Sequence, residues 1–477
     1  MNTSLNGSPS HAVVLGGSLA GLLAARVLSD HFEQVTLIER DAYTETTEAR
    51  RGMPQANHVH GLLVRGRQIL EELFPGVQDE MIAAGAPVVD IANEIAWFTP
   101  AGWGVRFPSE LMILAFTRPL LDLHVRRRVA QNPRIKILDN TDVLRLLPDS
   151  DTGRLAGVMI CPRASDSDRR VAKALSADLV LDATGRASRA PRWLKDLGYE
   201  PPEELVIDAH LAYASRLYRI PEDFDGDWQC AYVQAAPPDQ KRGAILFKVE
   251  DNRWLVTLIG RAGDTPPADE AGFLEFARTL RVSTIYDAIC NAEPLTPIKT
   301  HRATQNRLRK YERARSLPEN FLLLGDSVCA FNPVYGQGMT TAALGAMTLR
   351  KCLREQNMHG LSRRFQKRLA KVNAAPWLLA IGEDYRYRET DGGSPSLMTR
   401  FMHRYMDQVV RLATRSVVVR KVLLRAFNML VPPTALFQPR VLFRVLLQMF
   451  GSGLRATSVS SVSLWWPLRR ELTTGQR

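Results

Sequence analysis

The chain has 477 residues, 45% of them hydrophobic and 23% charged, an ordinary balance for a globular protein of two or three domains. Its five cysteines are odd in number and widely spaced, which predicts free thiols in a reducing compartment and excludes a Cys-x-x-Cys site. The net charge of +12 is uneven, because 13 basic residues face two acidic ones from residue 396 onward. The rest of the chain is close to neutral, which argues against a general nucleic-acid-binding surface.

Residues 11–40 predict a strand, a tight turn, a helix and a second strand. The apolar run 12–15 ends at Gly16, and a segment of helical period follows. The second apolar run, 35–38, ends at Glu39, 23 positions after that glycine. An acid about 20 residues after the first glycine binds the ribose of an unphosphorylated dinucleotide. The stretch therefore predicts FAD or NAD rather than NADP, and the alternative is an ordinary buried strand–helix–strand unit.

The glycine fingerprint of this unit is imperfect. A G-x-G-x-x-G pattern provides a tight turn and a close helix approach around a pyrophosphate at a helix N-terminus. Here serine replaces the middle glycine, and one extra glycine stands before it. The residues at and beside the fingerprint are Gly16, Gly17, Ser18 and Gly21.

Periodicity and turn residues predict alternating helices and strands over the following segments. The expected helices are 62–73, 117–129, about 269–280, 283–290 and 340–353. Expected strands lie within 82–116, 134–182 and 205–260, with a hairpin tip at 163–173. Six aromatic residues in the strand segments are candidates for pocket walls or for core packing: Trp97, Trp103, Tyr213, Trp228, Phe247 and Trp254.

Arg118 stands in the first turn of the helix that Thr117 is expected to cap. A cation at a helix N-terminus opposes the helix dipole. Its position therefore indicates an anionic partner, with a surface salt bridge as the alternative.

A second glycine-rich turn follows the apolar strand 321–324. Gly325 and Asp326 end that strand, and Gly336-x-Gly338 opens the next helix. Ligands of α/β folds bind at the carboxyl edge of the sheet, and a helix N-terminus attracts anions. This turn therefore predicts a second anion site at a helix N-terminus, and the alternative is a plain strand–turn–helix.

With the mid-chain Asp182-Ala183-Thr184-Gly185, these motifs resemble in order and spacing the class A flavoprotein monooxygenases of the para-hydroxybenzoate hydroxylase type. Those proteins carry an N-terminal FAD fingerprint, a mid-chain DG motif and a late GD motif, and the match spans roughly residues 11–355. The chain also resembles a narrower branch, which includes the flavin-dependent epoxidases of polyether biosynthesis. Three segments carry this resemblance: GGSLAGLLAARVL, RGMPQANHVHGLL and ATGRASRAPRWLKDLGY.

The resemblance implies FAD as the bound cofactor and NAD(P)H as a transient co-substrate. It places the glycine turn on the pyrophosphate, Glu39 on the adenosine ribose, and Asp326 on the ribityl or pyrophosphate side. The implied cofactor-binding residues are Gly16, Gly17, Ser18, Gly21, Glu39, Arg40, Arg51, Arg118, Val143, Ala183, Thr184, Gly185, Gly325, Asp326, Pro333, Gly336, Gly338 and Met339.

Departures from the family pattern bear on NAD(P)H binding. The DG motif has Thr184 at its aspartate position, and the arginine that usually follows is displaced to Arg189 or Arg192. The family's Gly-Asp-Ala-Ala-His becomes Gly-Asp-Ser-Val-Cys over 325–329. No second intact dinucleotide fingerprint is present, as the resemblance implies for a transiently bound NAD(P)H.

His58 and His60 are candidate catalytic residues at the flavin. Alternating side chains of an extended segment point in opposite directions, so at most one of the two is expected to face the flavin. The alternative is that both are structural hydrogen-bonding residues. No His/Cys cluster completes a metal site around them, and no metal is expected.

Residues 396–477 interleave arginines with apolar residues at near-helical spacing. Three interpretations remain open: amphipathic helices packed on the core as a third layer, a basic-apolar face on an anionic membrane, and a lid over an apolar substrate channel. Trp465-Trp466-Pro467 near the end suits an interface. No apolar run reaches the roughly 18 uncharged residues of a spanning helix, so any membrane contact is expected to be peripheral.

The predicted fold is α/β (α+β overall), with a Rossmann-like FAD-binding domain, a mixed-sheet substrate domain and a C-terminal helical, basic-amphipathic region. The FAD-binding domain is expected to combine residues 1–81, 117–202 and 293–358. The substrate domain is expected to combine 82–116 and 203–292, and the C-terminal region is 359–477.

The resemblance implies an FAD-dependent monooxygenase that uses NAD(P)H and O2, through a flavin C4a-hydroperoxide, to epoxidise or hydroxylate a polyene, isoprenoid or aromatic substrate. The alternatives are a prenyl- or geranylgeranyl-type reductase and a membrane-associated flavin-binding protein without turnover. The absence of W-x-W-x-I-P disfavours a flavin halogenase. The expected partners are a hydrophobic small molecule and O2, without nucleic acid, and the N-terminus predicts a cytoplasmic protein with no secretion signal.

Overall fold

The structure, a computed structural model, describes residues 10–50, 52–163 and 171–451. Arg51, most of the expected hairpin tip and the Trp465-Trp466-Pro467 segment lie outside the described residues. The roles expected for them therefore stay predictions.

The described residues form twenty strands, numbered in chain order. They are β1 (His11–Leu15), β2 (Gln34–Ile38), β3 (Val88–Asp90), β4 (Ile95–Thr99), β5 (Gly102–Trp103), β6 (Met112–Leu114), β7 (Ile135–Leu138), β8 (Thr141–Pro148), β9 (Leu155–Pro162), β10 (Lys173–Ser176), β11 (Leu179–Asp182), β12 (Glu204–Ile207), β13 (Ala212–Arg219), β14 (Cys230–Val233), β15 (Gly243–Val249), β16 (Arg253–Gly260), β17 (Lys299–His301), β18 (Asn306–Arg309), β19 (Phe321–Leu323) and β20 (Cys329–Ala330).

Twelve helices accompany them within the described part of the chain. They are α1 (Leu19–Leu28), α2 (Val64–Leu73), α3 (Val77–Ala83), α4 (Arg118–Ala130), α5 (Ala190–Asp196), α6 (Glu270–Arg278), α7 (Thr284–Ile289), α8 (Gly338–Arg354), α9 (Leu361–Asp384), α10 (Leu397–Leu412), α11 (Val417–Phe427) and α12 (Pro439–Gly451). Helices α2, α4, α6, α7 and α8 match the expected helices within a few residues, whereas α3 and α5 were not predicted.

The first sheet is entirely parallel, in the order β19-β11-β1-β2-β7. Its strands are apolar runs because helices such as α1 and the antiparallel sheet β10-β9-β8 pack against it, which leaves most strand residues buried. All five strands run the same way, so the turns that follow them lie at one carboxyl edge. Gly16, Glu39, Ala183 and Gly325 therefore come together although the sequence separates them widely.

The second sheet is mixed and has seven strands, in the order β17-β13-β16-β15-β14-β4-β5. Only β14 and β4 pair in parallel, and the other neighbours are antiparallel. Its outer face packs against α6 and α7 through a core that includes Ala214, Leu246, Val256 and Phe273. Because side chains alternate along a strand, the other face is left to form a cavity wall.

The predicted α/β class with a Rossmann-like part and a mixed sheet is confirmed. Two pairings cross the predicted domain limits: β17 joins the mixed sheet, and β12 pairs with β18, which lies beyond residue 292. The limits were drawn from sequence segments, and strand pairing is not visible there. The helices α10, α11 and α12 pack on one another around their own small core. No helix among the described residues is long and apolar enough to cross a membrane.

Candidate active site

A cavity of about 630 Å³ lies between the carboxyl edge of the parallel sheet and the inner face of the mixed sheet. Its volume is in the range of small-molecule and cofactor sites. Most of the predicted site residues line it: Gly16, Ser18, Glu39, Arg40, His58, His60, Arg118, Val143, Ala183, Thr184, Gly185, Gly325, Asp326, Pro333, Gly336, Gly338 and Met339. Segments from across the chain thus meet at one site.

Gly17 and Gly21 lie beside the cavity rather than in its wall. The Gly17 N–H donates to Glu39 Oε2 at 2.7 Å, which fixes the turn to the end of β2. A Cβ on Gly21 would lie 1.8 Å from the carbonyl oxygen of Gly16, so this glycine lets α1 approach β1 closely. Gly16 itself has φ +95°, and a Cβ there would meet the carbonyl oxygen of Ala183 at 2.6 Å.

Charged residues are paired beneath the glycine turn. Arg118 Nη2 donates to Ser18 Oγ at 3.0 Å, and its Nε donates to Asp122 Oδ1 at 2.9 Å. The first-turn arginine therefore contacts the glycine turn, and the carboxylate one helical turn later offsets its unfavourable position on α4. Its contact with the cofactor stays a prediction. Arg50 Nη1 lies 3.4 Å from Glu39 Oε2 and also lines the cavity. Arg50 was not predicted, because the Arg-Arg pair in the sequence does not show which member points inward.

The mid-chain turn is held by Asp182, which is fully buried. Its Oδ1 accepts the N–H and the hydroxyl of Thr184 at 2.8 and 2.6 Å, and its Oδ2 accepts the Ser188 hydroxyl at 2.5 Å. Thr184, at the aspartate position of the family motif, thus donates into the preceding aspartate. This pairing satisfies a buried carboxylate and fixes the backbone of the turn against the cavity.

Arg186 is one of two arginines of this turn that line the cavity. It donates to two backbone carbonyl groups, and its Nε lies 3.8 Å from Asp326 Oδ2. Burial lowers the pKa of Arg186. Sequence reasoning named Arg189 or Arg192 instead; Arg189 does line the cavity, whereas Arg192 does not. Side-chain direction around a short 3-10 turn decides this, and spacing alone does not reveal it.

The late glycine turn presents open backbone to the cavity. Gly325 and Gly336 have φ +67° and +64°, left-handed conformations that favour glycine. A Cβ at Gly336 would meet no atom within 4 Å, and one at Gly338 would meet only Asp326 Oδ1, at 4.0 Å. Gly338 also begins α8, whose N-terminal N–H groups face the site. Bare backbone beside a helix N-terminus fits the flat ring and polar chain of FAD.

A buried carboxylate on α9 holds the loop between the late aspartate and α8. Asp384 is fully buried and accepts hydrogen bonds from Asn306 Nδ2 at 2.6 Å and from the Tyr335 hydroxyl at 2.5 Å. Arg261 Nη1 lies 3.4 Å away and neutralises it. Tyr335 lines the cavity beside Pro333, so this network fixes the wall opposite the glycine turn. No sequence signal indicated it, because its members are scattered over four segments.

Both predicted histidines line the cavity, and the expectation that at most one of them faces the flavin stays a prediction. The chain is not an extended strand here: a 3-10 turn, Pro54–Asn57, precedes His58. The His60 ring folds back and its Nδ1–H donates to the His58 carbonyl at 2.8 Å. The rings of Tyr213 and His301 lie 5.7 and 5.5 Å from the His58 ring and complete the cluster. His301 was not predicted.

A chain of buried hydroxyls fixes the tautomer of His58. Its Nδ1 lies 2.7 Å from Ser215 Oγ, which lies 2.6 Å from Thr257 Oγ1, and this oxygen also accepts the Val59 N–H at 2.9 Å. Every hydroxyl proton has an acceptor if Thr257 donates to Ser215 and Ser215 donates to His58. The reverse order leaves the Thr257 proton without an acceptor among the described residues. His58 therefore carries its proton on Nε2, which has no partner among the described residues.

The histidine cluster is uncharged at neutral pH. Burial lowers the pKa of His58 to about 4 and that of His60 to about 3, and it also lowers the pKa of His301. Because the Nδ1–H of His60 is used by a carbonyl, its Nε2 is a hydrogen-bond acceptor. The site thus offers one neutral donor and one neutral acceptor. No group of three or more potential metal ligands is found in the part of the chain that the structure describes.

Beyond the histidines the cavity becomes an apolar chamber. Its wall is the inner face of the mixed sheet together with neighbouring apolar residues: Ile91, Ile95, Trp97, Ile113, Tyr213, Tyr232, Ile245, Phe247, Ile259 and Phe427. Of the six aromatic candidates, Trp97, Tyr213 and Phe247 are therefore wall residues. Trp103, Trp228 and Trp254 are not, since Trp228 and Trp254 stack with one another at 6.1 Å and Trp103 packs on Phe98.

A parallel Rossmann-like sheet joined to a mixed sheet around one cavity is the architecture of the flavoprotein monooxygenases, and its glycine turns fit FAD. The chain belongs to the family described as FAD binding domain, whose sequence model matches residues 10–361. FAD is accordingly its cofactor, and the protein is a flavin-dependent oxidoreductase.

Known proteins similar to the chain agree with this assignment. Protein Rv3254 of Mycobacterium tuberculosis is 34% identical over 437 residues, covering 89% of this chain and 90% of that protein. Kynurenine 3-monooxygenase of Salinispora tropica is 24% identical over 365 residues, covering 73% and 74%. The solved structure of the flavin-dependent brominase Bmp2 shares the fold, with a TM-score of 0.65 at 12% identity over 93% of this chain and all of that one.

Proposed function

We propose that this protein is an NAD(P)H-dependent FAD monooxygenase that transfers one oxygen atom of O2 to a hydrophobic substrate, by epoxidation of an alkene or hydroxylation of an aromatic ring. The proposal rests on one continuous cavity that both the predicted cofactor residues and an apolar wall line. One end is lined by the glycine turns and Asp326, and the other by the apolar face of the mixed sheet. A redox cofactor and a lipophilic molecule would therefore meet inside one enclosure.

The chain's own residues would bind, orient and shield the reactants. Bound FAD supplies the redox chemistry, taking a hydride and activating O2. The Ser18–Arg118 contact and Glu39 fix the turn expected to hold the pyrophosphate, and the Asp384 network fixes the opposite loop. The apolar wall excludes water, which protects an activated oxygen species from side reactions.

His58 would orient the substrate. Its Nε2–H is a neutral donor between the cofactor residues and the apolar chamber, and it suits a carbonyl, hydroxyl or ether oxygen. The proposed substrate is therefore a lipophilic polyene, isoprenoid or aromatic molecule with one hydrogen-bond acceptor. This polar contact would set which carbon faces the flavin.

The test is isotopic. FAD-loaded protein is supplied with NADH or NADPH, 18O2 and a panel of lipophilic alkenes and phenols, and products are analysed by mass spectrometry. We expect NAD(P)H consumption that depends on substrate, and a product that carries one 18O atom. Ser215→Ala is the diagnostic variant: it removes the donor to His58 Nδ1, so it should raise KM or scatter the site of oxygenation while FAD stays bound.

Two results would overturn the proposal. Saturation of a double bond without 18O would identify a reductase, one of the alternatives that the sequence left open. FAD binding without NAD(P)H oxidation under any condition of the panel would identify a flavin-binding protein without turnover. Thr141→Ser, which keeps the hydroxyl at another position of the cavity wall, is the control and should leave KM and the site of oxygenation unchanged.

A further inference from the structure

The helices α10, α11 and α12 form a small unit with its own core. Tyr405, Val409, Val419, Val441 and Val445 are buried between them. The last residues of α11 also reach the chamber, where Phe427 lines the wall. The unit therefore joins the substrate chamber to the outer surface.

The outer side of this unit is unusually apolar. Of 18 large hydrophobic side chains exposed among the described residues, 10 lie in this unit, between residues 397 and 447. On α10, Leu397 and Phe401 are 84% and 61% exposed, and on α12 Phe443 and Leu447 are 63% and 57% exposed. Both pairs are spaced i, i+4. On α12 the exposed pair lies opposite the buried Val441 and Val445, whereas on α10 it continues the stripe of Tyr405 and Val409 beyond the part that is packed. An exposed patch of this kind marks an interaction surface.

Basic residues flank the exposed stripes. Residues 396–451 contain nine basic side chains and one acidic side chain, Asp407. On α10, Arg400 and Arg404 lie beside the exposed apolar side chains. On α12, Arg440 and Arg444 lie beside them in the same way. The only carboxylate of this segment is already paired with Arg386. Glu110, outside the segment, pairs with Lys421 and Arg425, and Arg420 is buried. The other six basic residues have no carboxylate partner among the described residues: Arg400, Arg404, Arg411, Arg415, Arg440 and Arg444.

We propose that this face of α10, α11 and α12 is a docking surface for an anionic lipid membrane. An amphipathic helix binds such a surface by burying its apolar side chains at the headgroup boundary while arginines contact the anionic headgroups. This inference goes beyond the proposed oxygenation and does not depend on it. Docking would bring the apolar chamber close to molecules dissolved in the membrane.

Charge favours a membrane over two other possible occupants of this surface, which are a second copy of the chain and the chain beyond residue 451. A second copy on a two-fold axis would set the cationic face against itself, which like-charge repulsion disfavours. The chain beyond residue 451 brings Arg455, Arg469, Arg470 and Arg477 against one acidic residue, Glu471. Neither occupant supplies the negative charge that the surface lacks, whereas anionic headgroups do.

The experiment is vesicle flotation of the full-length FAD-loaded protein. Vesicles of phosphatidylcholine alone are compared with vesicles that also contain phosphatidylglycerol, at low and high salt. We expect flotation with the anionic vesicles only, weakened by salt because screening reduces the charge contribution. The variants Leu397→Ser/Phe401→Ser and Arg400→Glu/Arg404→Glu should each lower the partition coefficient by about tenfold or more.

Matched controls carry the same substitutions elsewhere on the surface. Leu144→Ser/Val171→Ser removes two exposed apolar side chains, and Arg313→Glu/Arg315→Glu reverses two exposed charges, all outside the helical unit. These controls should float as the wild type does, and flavin content shows that every variant is folded. The proposal is overturned if the wild type does not float, if controls and test variants behave alike, or if light scattering shows a dimer that Leu397→Ser/Phe401→Ser dissociates.

Discussion

His58 shows how a single side chain is prepared by residues far from it in the sequence. Ser215 and Thr257, on two strands of the mixed sheet, orient its ring, and burial keeps the ring neutral. The neighbouring His60 is fixed as an acceptor by the His58 carbonyl. For the proposed substrate, a carbonyl or ether oxygen could use the neutral donor and a hydroxyl could use both groups, without the desolvation cost of an ion.

The lowered pKa of His58 predicts acid sensitivity. The folded-state pKa is about 4, against about 6.5 in the unfolded chain, so between these values the unfolded state binds the extra proton. The stability contribution is complete above pH 6.5 and is lost as the pH falls toward 4, by at most about 1.4 kcal/mol per pH unit. Urea unfolding at pH 7 and pH 5 measures this loss. His58→Gln should flatten the slope; an unchanged slope would show that other groups cause it.

At the scale of elements, the site depends on turns that only glycine can form at the carboxyl edge of the parallel sheet. The turn between β1 and α1 packs against the turn after β11, and the left-handed Gly16 allows that approach. The same edge also receives Gly325 and the N-terminus of α8. Strand–turn–helix units are local, so their chemistry was visible in the sequence, but their meeting depends on the sheet order.

Gly16→Ala should release FAD. The substitution forces a Cβ to within 2.6 Å of the Ala183 carbonyl oxygen at a positive φ, so the turn must move. We expect at least about 2 kcal/mol of lost stability and a large loss of bound flavin, measured by thermal melts and flavin absorbance. Gly153→Ala is the control, because Gly153 has φ +66° with no atom within 4 Å of its Cβ position. Gly153→Ala should lower the stability by about 1 kcal/mol and leave FAD bound. Equal loss of flavin in the two variants would contradict the prediction.

At the scale of the whole molecule, the cavity has three contributors. The parallel sheet supplies the turns, the mixed sheet supplies the apolar wall, and α11 closes one side through Phe427 and Asn428. Arg420, buried on the same helix, lies 4.9 Å over the ring of Trp97 and ties the helical unit to the wall. Burial lowers the pKa of Arg420 to about 10. The C-terminal helices are therefore part of the site's enclosure, not only an added layer.

Filling the chamber should separate substrate turnover from cofactor binding. Ile245 lies on the inner face of the mixed sheet and is only half-buried, so Ile245→Trp can project a larger ring into the chamber. We expect kcat/KM for a lipophilic substrate to fall about tenfold or more, with flavin content unchanged. Steady-state kinetics and absorbance measure both quantities. Leu144→Trp, at an exposed position, should change neither; loss of flavin in Ile245→Trp would contradict a separate chamber.

The sequence by itself determined the local units of this protein. The apolar run ending at Gly16, the acid at Glu39, the helix start at Thr117 and the late Gly325-Asp326 turn depend on neighbours within one turn or strand, so composition and spacing identify them. The expected cap was wrong in one respect: the Thr117 hydroxyl does not cap α4 but donates to Glu250. The excess of basic residues after residue 396 was also visible in the sequence. These features indicated a site for FAD or NAD, and the family resemblance that they carry implied the fold class and FAD.

Only the tertiary structure decided how those units cooperate. Three features depend on register, side-chain direction and pairing between residues 49 to 157 positions apart. They are the contact of His58 with Ser215, the Asp384 network and the entry of Arg186 into the cavity wall. The same holds for which apolar residues of the C-terminal helices are buried and which are exposed. A one-residue change of register exchanges the two faces of a strand, and such choices are settled by burial across the whole molecule, which no local pattern records.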